Sequence, residues 1–245
     1  MNASTVLNRL NDLQSFSRTD LQALMNQGKP DTSPSIANHV IDQLLNAGKI
    51  VRVGRNRYTV SRSQKVYQYA YSTEALHLAD EIITVHPYLD FRIFELTQLN
   101  EFVNHQIAHN ILFVSIEGEL EEDVFNTLWE DHHGAVLLKP DTNQLYRYMS
   151  DNMIVIEKLP TESPRGVIHF WESRLEKILV DIAVDKLISK VVYAGEYPTI
   201  FHDAIQKYVI DKSVMTRYAR RRGALEKYKK FLEEDAQLSE EEFIL

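Results

Sequence analysis

The sequence predicts a mixed α/β (α+β) fold in two domains, and three observations lead to this prediction. Hydrophobic residues make up 44% of the 245 residues and charged residues 25%, which is the balance of a globular protein. Helical and strand-like patterns alternate through the middle of the chain, and the remainder after residue 170 is helical. The charge is divided between a basic start and an acidic body. We therefore expect a domain at residues 1–62 and a second at residues 68–245, with a hinge between them.

The charge division indicates two separate roles. Residues 1–62 contain eight Lys or Arg and four Asp or Glu, a balance of +4. The remaining 19 of 27 basic and 31 of 35 acidic residues give the rest of the chain a balance of -12. A net charge of -8 over the whole chain argues against non-specific coating of nucleic acid by the entire surface. Only the N-terminal domain has the charge expected of a DNA-binding module.

Several classes of protein are excluded by composition. The chain has no cysteine, which excludes disulfides, cysteine nucleophiles and cysteine zinc sites and is typical of a reducing compartment. The first residues lack the basic segment and apolar run of a signal peptide. No apolar stretch reaches the roughly 18 residues of a membrane span. We expect a cytoplasmic protein that does not enter a membrane.

The N-terminal domain is predicted to begin with three helices. Apolar residues at helical spacing predict the first helix over residues 4–14. Ser17 is an N-cap for the second helix, and Gly28 suits the left-handed position that ends it. The third helix starts at Ser33-Pro34, where a capping side chain precedes a proline whose missing N–H costs nothing, and extends to about Ala47.

The third predicted helix has one apolar and one polar half. At about 100° per residue, its apolar side chains share one side of the helix. They are Ile36, Ala37, Val40, Ile41, Leu44, Leu45 and Ala47. The other side carries Ser35, Asn38, His39, Asp42, Gln43 and Asn46. One half is predicted to be core, and the other is rich in hydrogen-bonding groups without a lysine or arginine.

A basic hairpin is predicted directly after this helix. Strand-forming residues flank a turn at Gly54–Arg57, and five basic residues and no acid lie between Lys49 and Arg62. Three helices followed by a hairpin is the order of a winged helix-turn-helix, in which the third helix enters the major groove and the wing lies on the DNA backbone. The predicted contacts to double-stranded DNA are Ser35, Asn38, His39, Gln43, Arg52, Arg55, Asn56 and Arg57. Asp42 on the same face would repel phosphate, and winged helices also serve as protein–protein adaptors.

The second domain is predicted to start as an α/β block. The pattern predicts a helix at 72–83 with a stripe of Leu76, Ala79 and Ile83, then a strand around Phe91 to Phe94 and a helix from Leu96 to His105. It next predicts a strand at 111–116 and a helix at 119–131. A strand at 136–138, a helix at 143–149 and a strand at 153–157 complete the block. Connections of ten or more residues between strands favour a partly parallel, buried sheet.

The end of the chain is predicted to be a helical bundle. Ser173 and Glu176 have the spacing of a capping box, which would start a helix that continues to about Ser189. Further helices are expected at Tyr197–Val209, from Lys212, and then through Phe231.

Motifs for catalysis are weak, and we expect no catalytic residue, metal or cofactor. The sequence has no glycine-rich phosphate loop, nucleophile elbow or His-Glu-x-x-His motif. The pairs His105/His109 and His132/His133 are interpreted as surface or capping residues. Glu95, Glu117, Asp141 and Glu157 lie near predicted strand ends, which leaves a metal-dependent nuclease guided by a winged helix as an alternative.

One segment resembles a known family. Residues Ser173–Asp181, with Glu176, Lys177, Leu179 and Asp181 at the start of a helix, resemble the AbiEi-like antitoxins of type IV toxin–antitoxin systems. The later helices, with an arginine-rich stretch at Tyr218–Arg222, are similar in arrangement. The resemblance implies a bacterial regulator that is not an enzyme. Its winged helix would bind an inverted repeat in its own promoter, and its C-terminal domain would neutralise a nucleotidyltransferase-like toxin.

A second basic cluster lies near the C-terminus: Arg217, Arg220, Arg221, Arg222, Lys227, Lys229 and Lys230. Three interpretations stay open, namely a solvated helix surface, additional contact with the DNA backbone, and docking of an acidic partner. A homodimer is also left open. Three functions therefore remain at the level of sequence: a DNA-binding repressor with an antitoxin domain, a nuclease, and an adaptor that does not bind DNA.

Overall fold

The computed structural model describes residues 10, 15–26, 33–46, 49–60, 65–103, 105–132 and 134–227. The chain divides into two compact units. The first is Met1–Tyr67 with Ile205–Val214, and the second is Gln68–Ala204 with Met215–Leu245. Helices and strands both contribute, and the predicted α+β fold class is confirmed. Among the described residues, no helix combines the length and the apolar character needed to cross a membrane.

Helices and strands follow one another in this order. The first part of the chain has α1 (Arg18–Asn26), α2 (Pro34–Asn46), β1 (Ile50–Gly54) and β2 (Arg57–Val60). The middle has α3 (Thr73–Val85), β3 (Phe91–Glu95), a 3-10 helix (Leu96–Glu101), β4 (Ile111–Ile116), α4 (Glu121–Asp131), β5 (Val136–Leu138), α5 (Thr142–Tyr148) and β6 (Met153–Lys158). The last part has α6 (Leu175–Val184), α7 (Ile188–Val191), a 3-10 helix (Ala194–Glu196), α8 (Tyr197–Lys207) and α9 (Lys212–Arg221).

The core of the first unit is a small apolar cluster shared by its helices and hairpin: Leu10, Phe16, Leu21, Ile41, Leu44, Ile50 and Tyr58. Helix α1 is capped as predicted, because the Asp20 backbone N–H donates to Ser17 Oγ at 3.2 Å. The backbone N–H and the hydroxyl of Ser17 donate back to the Asp20 carboxylate, and these hydrogen bonds hold the pKa of Asp20 below its ordinary value. Of the predicted helix at residues 4–14, only Leu10 lies within the described residues, so the complete three-helix module does not.

Phe16 pairs with the hairpin along the edge of β2 that does not face β1. Strands β1 and β2 pair antiparallel, with Ile50 opposite Val60. The backbones of Phe16 and Tyr58 exchange two hydrogen bonds of 2.8 Å, and their rings are 5.9 Å apart. Phe16 therefore joins the segment before α1 to the hairpin, and the pair is buried in the cluster.

The first unit also contains a segment from far along the chain. Lys65 forms a parallel bridge with Tyr208, in which the Lys65 N–H donates to Lys207 O at 2.9 Å and the Val209 N–H donates to Lys65 O at 3.0 Å. The rings of Tyr67 and Tyr208 meet edge to face, 5.0 Å apart. The predicted boundary at residue 62 did not include residues 205–214, because long-range backbone pairing leaves no local signal. The same pairing ends α8 at Lys207 rather than at the predicted Val209.

The second unit is organised around a four-stranded sheet with the order β3-β4-β6-β5. Strand β3 is antiparallel to β4, whereas β4 and β5 both run parallel to β6. The predicted partly parallel sheet is therefore confirmed, and every residue of β3 and β4 is buried. The carboxyl ends of three parallel strands meet at one edge.

The two faces of this sheet differ in chemistry. One face packs on α3 and α4 through an apolar cluster that includes Phe91, Ile93, Val114 and Ile156. The opposite face carries the intervening side chains: Arg92, Phe94, Phe113, Ser115, Val155 and Glu157. Because side chains alternate along a strand, the register aligns Arg92, Ser115 and Glu157 in one polar row across three strands.

Arg92 is 1% exposed and is the largest of the fully buried side chains. Its Nη1 lies 2.7 Å from Asp90 Oδ1, and its Nε donates to the carbonyl of Pro164 at 2.9 Å. Burial raises the pKa of Asp90, but the hydrogen bonds and charge of Arg92 outweigh this and hold it below its ordinary value. Arg92 therefore ties the start of the sheet to the loop before α6.

Two details of the predicted α/β block are corrected. Leu76 of the predicted stripe is 44% exposed, whereas Ala79 is buried and Ile83 packs, partly buried, against the core. The buried face of α3 is completed by Ala75, Leu78 and Ile82. The segment from Leu96 forms a 3-10 helix that ends at Glu101, not a helix to His105. A hydrogen-bonded box between Glu95 and Gln98 holds this short helix.

The helix that contains most of the segment Ser173–Asp181 is also shorter than predicted. Helix α6 begins at Leu175 with Arg174 as its N-cap and no side-chain capping bond, so the predicted capping box of Ser173 and Glu176 was wrong. The Glu176 carboxylate instead pairs with Arg174 at 3.0 Å. The helix ends at Val184 because Asp185 turns the chain and accepts the backbone N–H groups of Leu187 and Ile188. The predicted last helix through Phe231 extends beyond the described residues.

The corrected face of α3 gives a matched test of the core. Leu78 is 1% exposed and Leu76 is 44% exposed on the same helix, so both changes to alanine alter helix propensity equally. We expect Leu78→Ala to lower the free energy of unfolding by about 3 kcal/mol, since it opens a cavity in the core. Leu76→Ala should change it by less than about 0.5 kcal/mol. Equal losses in urea unfolding would contradict this assignment of the buried face.

Candidate functional site

The outer face of α2 is exposed and its polar side chains are unused by the fold. Ala37, Ile41 and Leu44 are buried, and the exposed face carries Ser35, Asn38, His39, Asp42 and Gln43. Within the described residues, the side chains of Ser35, Asn38, His39 and Gln43 have no hydrogen-bond partner. The structure therefore brings together four of the predicted base-contacting residues on one solvent-facing surface.

One residue departs from the predicted division of α2. Ile36 was assigned to the core half but is 49% exposed, beside Ser35 at the first turn of the helix. Asn46 ends the helix, and its side chain lies outside what the structure describes.

The hairpin presents its arginines to solvent. Arg52, Arg55 and Arg57 are all exposed, as is Asn56 between the last two. The Arg52 Nε donates to Gly54 O at 3.1 Å, which holds that side chain along the strand. Because Ile41 and Leu44 of α2 share one apolar cluster with Ile50 and Tyr58 of the hairpin, the polar helix face and the cationic hairpin belong to one compact body.

The turn of the hairpin is fixed by contacts on both sides. Asn56 has φ of 55°, a left-handed conformation that asparagine tolerates better than most residues, and its Oδ1 accepts the Arg18 N–H at 3.4 Å. The Arg55 N–H donates to Ser213 Oγ at 3.3 Å, and a Cβ on Gly54 would lie 3.0 Å from the same oxygen. Asn56, predicted as a DNA contact, thus has a structural role in the turn. The Arg55 and Arg57 side chains are still exposed.

Among the described residues of the C-terminal basic cluster, the side chains differ in exposure and in partners. Arg217, Arg220 and Arg221 are exposed, and Arg217 lies 3.6 Å from Glu162 while Arg221 hydrogen-bonds to Thr161. The Lys227 Nζ donates to the carbonyl of Ala183 at 3.0 Å. Arg222 faces inward, and Lys229 and Lys230 lie outside the described residues.

Charged residues of the segment Ser173–Asp181 take part in a buried ionic network. Lys177 and Asp181 are 5% and 4% exposed, and Lys177 Nζ lies 2.7 Å from Asp181 Oδ2. Asp181 Oδ1 accepts the hydroxyl of Tyr218 at 2.9 Å and lies 3.1 Å from Arg222 Nε. Arg222 also reaches Asp185 at 3.2 Å. Asp181 therefore pairs with a lysine one turn earlier on the same helix.

Sequence reasoning missed Tyr218 and Arg222 as members of this network. Burial and the adjacent Asp181 carboxylate raise the pKa of Tyr218 above its ordinary range, so its hydroxyl remains a donor. A signal was present, because Lys177 and Asp181 stand four residues apart on a helix whose remaining residues, apart from Glu176, are apolar. The partners on α9 and directly after it are about 40 residues away, where helical spacing alone does not identify a contact.

Two of the four carboxylates of the nuclease alternative, Glu95 and Asp141, have structural roles. Glu95 is fully buried and accepts the Ser72 N–H at 2.9 Å and the Asn110 amide at 2.8 Å. Asp141 caps α5 by accepting the Gln144 N–H at 2.8 Å, and Glu117 is exposed. Within the described residues, no three His, Cys, Asp or Glu side chains are grouped so that they could hold a metal ion.

Comparison with known proteins assigns the chain to a family. The sequence matches the Family of unknown function (DUF6577) over residues 36–238, so the chain belongs to that family. No curated protein matches it. The crystal structure of the RV2827C protein from Mycobacterium tuberculosis aligns with 94% of this chain and 80% of that chain, at 12% identity. The TM-score of this alignment is 0.24, which is too low to establish a shared fold.

The buried network gives a second test. Asp181→Asn keeps the shape of the side chain but leaves Lys177 without its buried counter-charge, so we expect a loss of about 3 kcal/mol in the free energy of unfolding. Glu162→Gln makes the same chemical change in the exposed pair with Arg217 and should cost less than about 1 kcal/mol. Chemical unfolding of both variants checks this, and a small loss for Asp181→Asn would show that the network is not structural.

Proposed function

We propose that the protein is a DNA-binding transcriptional regulator of the cytoplasm, and that its first unit is a winged helix-turn-helix. The observation that supports this proposal is the exposed polar face of α2, whose Ser35, Asn38, His39 and Gln43 side chains have no hydrogen-bond partner among the described residues. This face belongs to the same compact body as a hairpin with three exposed arginines. A polar helix face supplies base readout and flanking arginines supply affinity for phosphate, which together are what duplex recognition requires.

The chemistry of α2 suits the major groove. Asn38 and Gln43 carry amides that can bond an adenine edge, and Ser35 and His39 offer further donors and acceptors. The exposed Ile36 adds an apolar group of the kind that contacts a thymine methyl. The one acid on this face is Asp42, directly before Gln43. Its carboxylate can accept a hydrogen bond from the amino group of a cytosine.

The arginines of the hairpin provide contacts that do not depend on sequence. Each arginine that reaches a phosphate displaces a counterion, so binding weakens steeply as salt rises. The turn contacts made by Asn56 and Ser213 hold the backbone of the wing without occupying the Arg55 or Arg57 side chain. A rigid wing with exposed guanidinium groups loses little freedom on binding.

The resemblance at Ser173–Asp181 extends this proposal to an antitoxin. In this form, the protein represses its own operon by binding an inverted repeat and neutralises a nucleotidyltransferase-like toxin through the second unit. Glu176, Lys177 and Asp181 are nearly buried, so their part is to hold the second unit together. The toxin would contact exposed side chains, for which Arg217, Arg220 and Arg221 are the candidates.

Wing substitutions test DNA binding directly. We expect Arg55→Ala with Arg57→Ala to weaken binding to the protein's own upstream DNA and to reduce the slope of log affinity against log salt by about 2, since two phosphate contacts are lost. Arg147→Ala with Lys190→Ala removes the same charge from exposed positions of the second unit and should leave both quantities unchanged. Fluorescence anisotropy over a salt series measures them.

Substitutions on α2 separate base reading from phosphate binding. Asn38→Ala with His39→Ala should reduce the preference for the upstream fragment over random DNA, while binding to random DNA changes little. Equal losses on both DNAs would contradict base reading. No binding of any upstream fragment by the unaltered protein at low salt would favour the adaptor instead.

The antitoxin extension has its own test. The downstream neighbouring gene is expressed with and without this protein, and we expect co-expression to restore growth that the neighbour alone arrests. Arg217→Ala with Arg220→Ala should weaken this rescue, whereas Arg55→Ala with Arg57→Ala should preserve it, because neutralisation does not need DNA. A neighbour that arrests growth equally in the presence of this protein would overturn the extension and leave the regulator proposal intact.

A further inference from the structure

The second unit contains a cleft that DNA binding does not use. Its volume is about 410 Å³, which is within the range of small-molecule sites. It opens where β4, β5 and β6 end, on the face of the sheet that carries Ser115 and Glu157. In open sheets with parallel strands, ligands bind outside the carboxyl ends of the strands. The cleft therefore lies at the position where ligands bind in sheets of this kind.

The Glu157 carboxyl lines this cleft without a hydrogen-bond partner among the described residues. Burial, together with repulsion from Asp185 and Asp181, raises the pKa of Glu157 to about 8, although Lys177 and Arg222 oppose the shift. At neutral pH the group is thus largely protonated and has an O–H to donate. A mostly buried donor that the fold leaves unused faces the space that a ligand would occupy.

The remaining free charge around the cleft is positive. Asp181 and Asp185 are occupied by Lys177, Tyr218, Arg222 and backbone N–H groups. Lys158 and Lys186 also line the cleft, are exposed, and have no partner within the described residues. Asp141 also lines the cleft and caps α5 by accepting the Gln144 N–H, so the exposed ammonium groups of Lys158 and Lys186 outnumber this one carboxylate and favour an anion.

Part of the remaining lining is apolar, and Ser115, Lys139 and Thr142 add polar groups to it. Phe94 and Phe113, whose stacked rings are 5.9 Å apart, form part of the wall, and Leu187, Ile188 and two prolines complete it. A bare inorganic ion would leave this surface in contact with water. A molecule with a nonpolar body would bury it and gain the corresponding free energy.

We propose that this cleft binds a small organic anion, in which a phosphate or carboxylate contacts Lys158 and Lys186, a flat nonpolar body lies along Phe94 and Phe113, and an acceptor atom meets Glu157. The site would make the second unit a sensor domain. This inference does not depend on DNA binding, and either proposal can fail without the other.

The test uses isothermal titration calorimetry on the full chain at neutral pH with four probes. AMP combines an anion with a flat body, adenosine has only the body, ribose 5-phosphate only the anion, and 3-phenylpropionate pairs a carboxylate with a flat body. We expect AMP or 3-phenylpropionate to bind at least about tenfold more tightly than adenosine and ribose 5-phosphate, and the tighter of the two identifies the head group. No binding of any probe up to about 5 mM would overturn the proposal.

Variants of the lysines locate the site. Lys158→Ala with Lys186→Ala should weaken binding of the best probe at least about tenfold, whereas Lys190→Ala, an exposed lysine outside this cleft, should change it less than about twofold. Both proteins are first checked for unchanged thermal unfolding. Equal affinity in the double variant and the control would overturn the assignment of the anion to this cleft.

The pH dependence tests the part played by Glu157. Affinity should fall as pH rises through about 8, because the ionised carboxylate repels the anion and no longer donates. Glu157→Gln keeps a neutral donor and should bind with little change over the same interval. Binding of Mg²⁺ that is lost in Glu157→Gln would overturn the proposal and assign a cation site.

Discussion

The carboxylate of Asp181 is the buried charge on which the second unit depends. A carboxylate removed from water is costly unless counter-charges and hydrogen bonds replace its solvation. Asp181 receives both, from Lys177 within α6, from Tyr218 on α9 and from Arg222 directly after α9. Because these partners must arrive in one geometry, the network specifies how the two helices meet. Apolar packing alone would accept neighbouring registers more readily.

The same network shapes the chemistry of the cleft beside it. The acids that pair inside the fold leave the lysines at the mouth and the Asp141 carboxylate as the available charges, and the burial that strengthens the ion pairs also raises the pKa of Glu157. Structural charge and candidate binding groups thus share one region without competing for partners. The charged residues of the segment Ser173–Asp181 are used to build the fold. The segment is therefore buried, and these side chains are not available to a protein partner.

The first unit separates its structural contacts from its candidate binding groups in another way. Its apolar cluster, the Phe16–Tyr58 pairing and the contacts of the turn with Arg18 and Ser213 are made by the inner side and the backbone. The outer side chains of α2 and the hairpin arginines take no part in them. Substitutions on that outer side therefore report on binding with little effect on folding, which makes the DNA-binding proposal testable.

The sequence by itself determined the elements whose signal is local. Periodicity, caps and turn residues predicted α1, α2, the hairpin and the strands β4 and β5 at or near their observed bounds, and the exposed face of α2 was assigned correctly except at Ile36. Only the tertiary structure decided which charges are buried and which distant segments meet. Arg92, Tyr218 and Arg222, the pairing of Lys65 with Tyr208, and the opening beside Glu157 all depend on contacts between residues far apart in the chain. Such contacts are selected by packing and desolvation of the folded state, and these forces leave no periodic trace in the sequence.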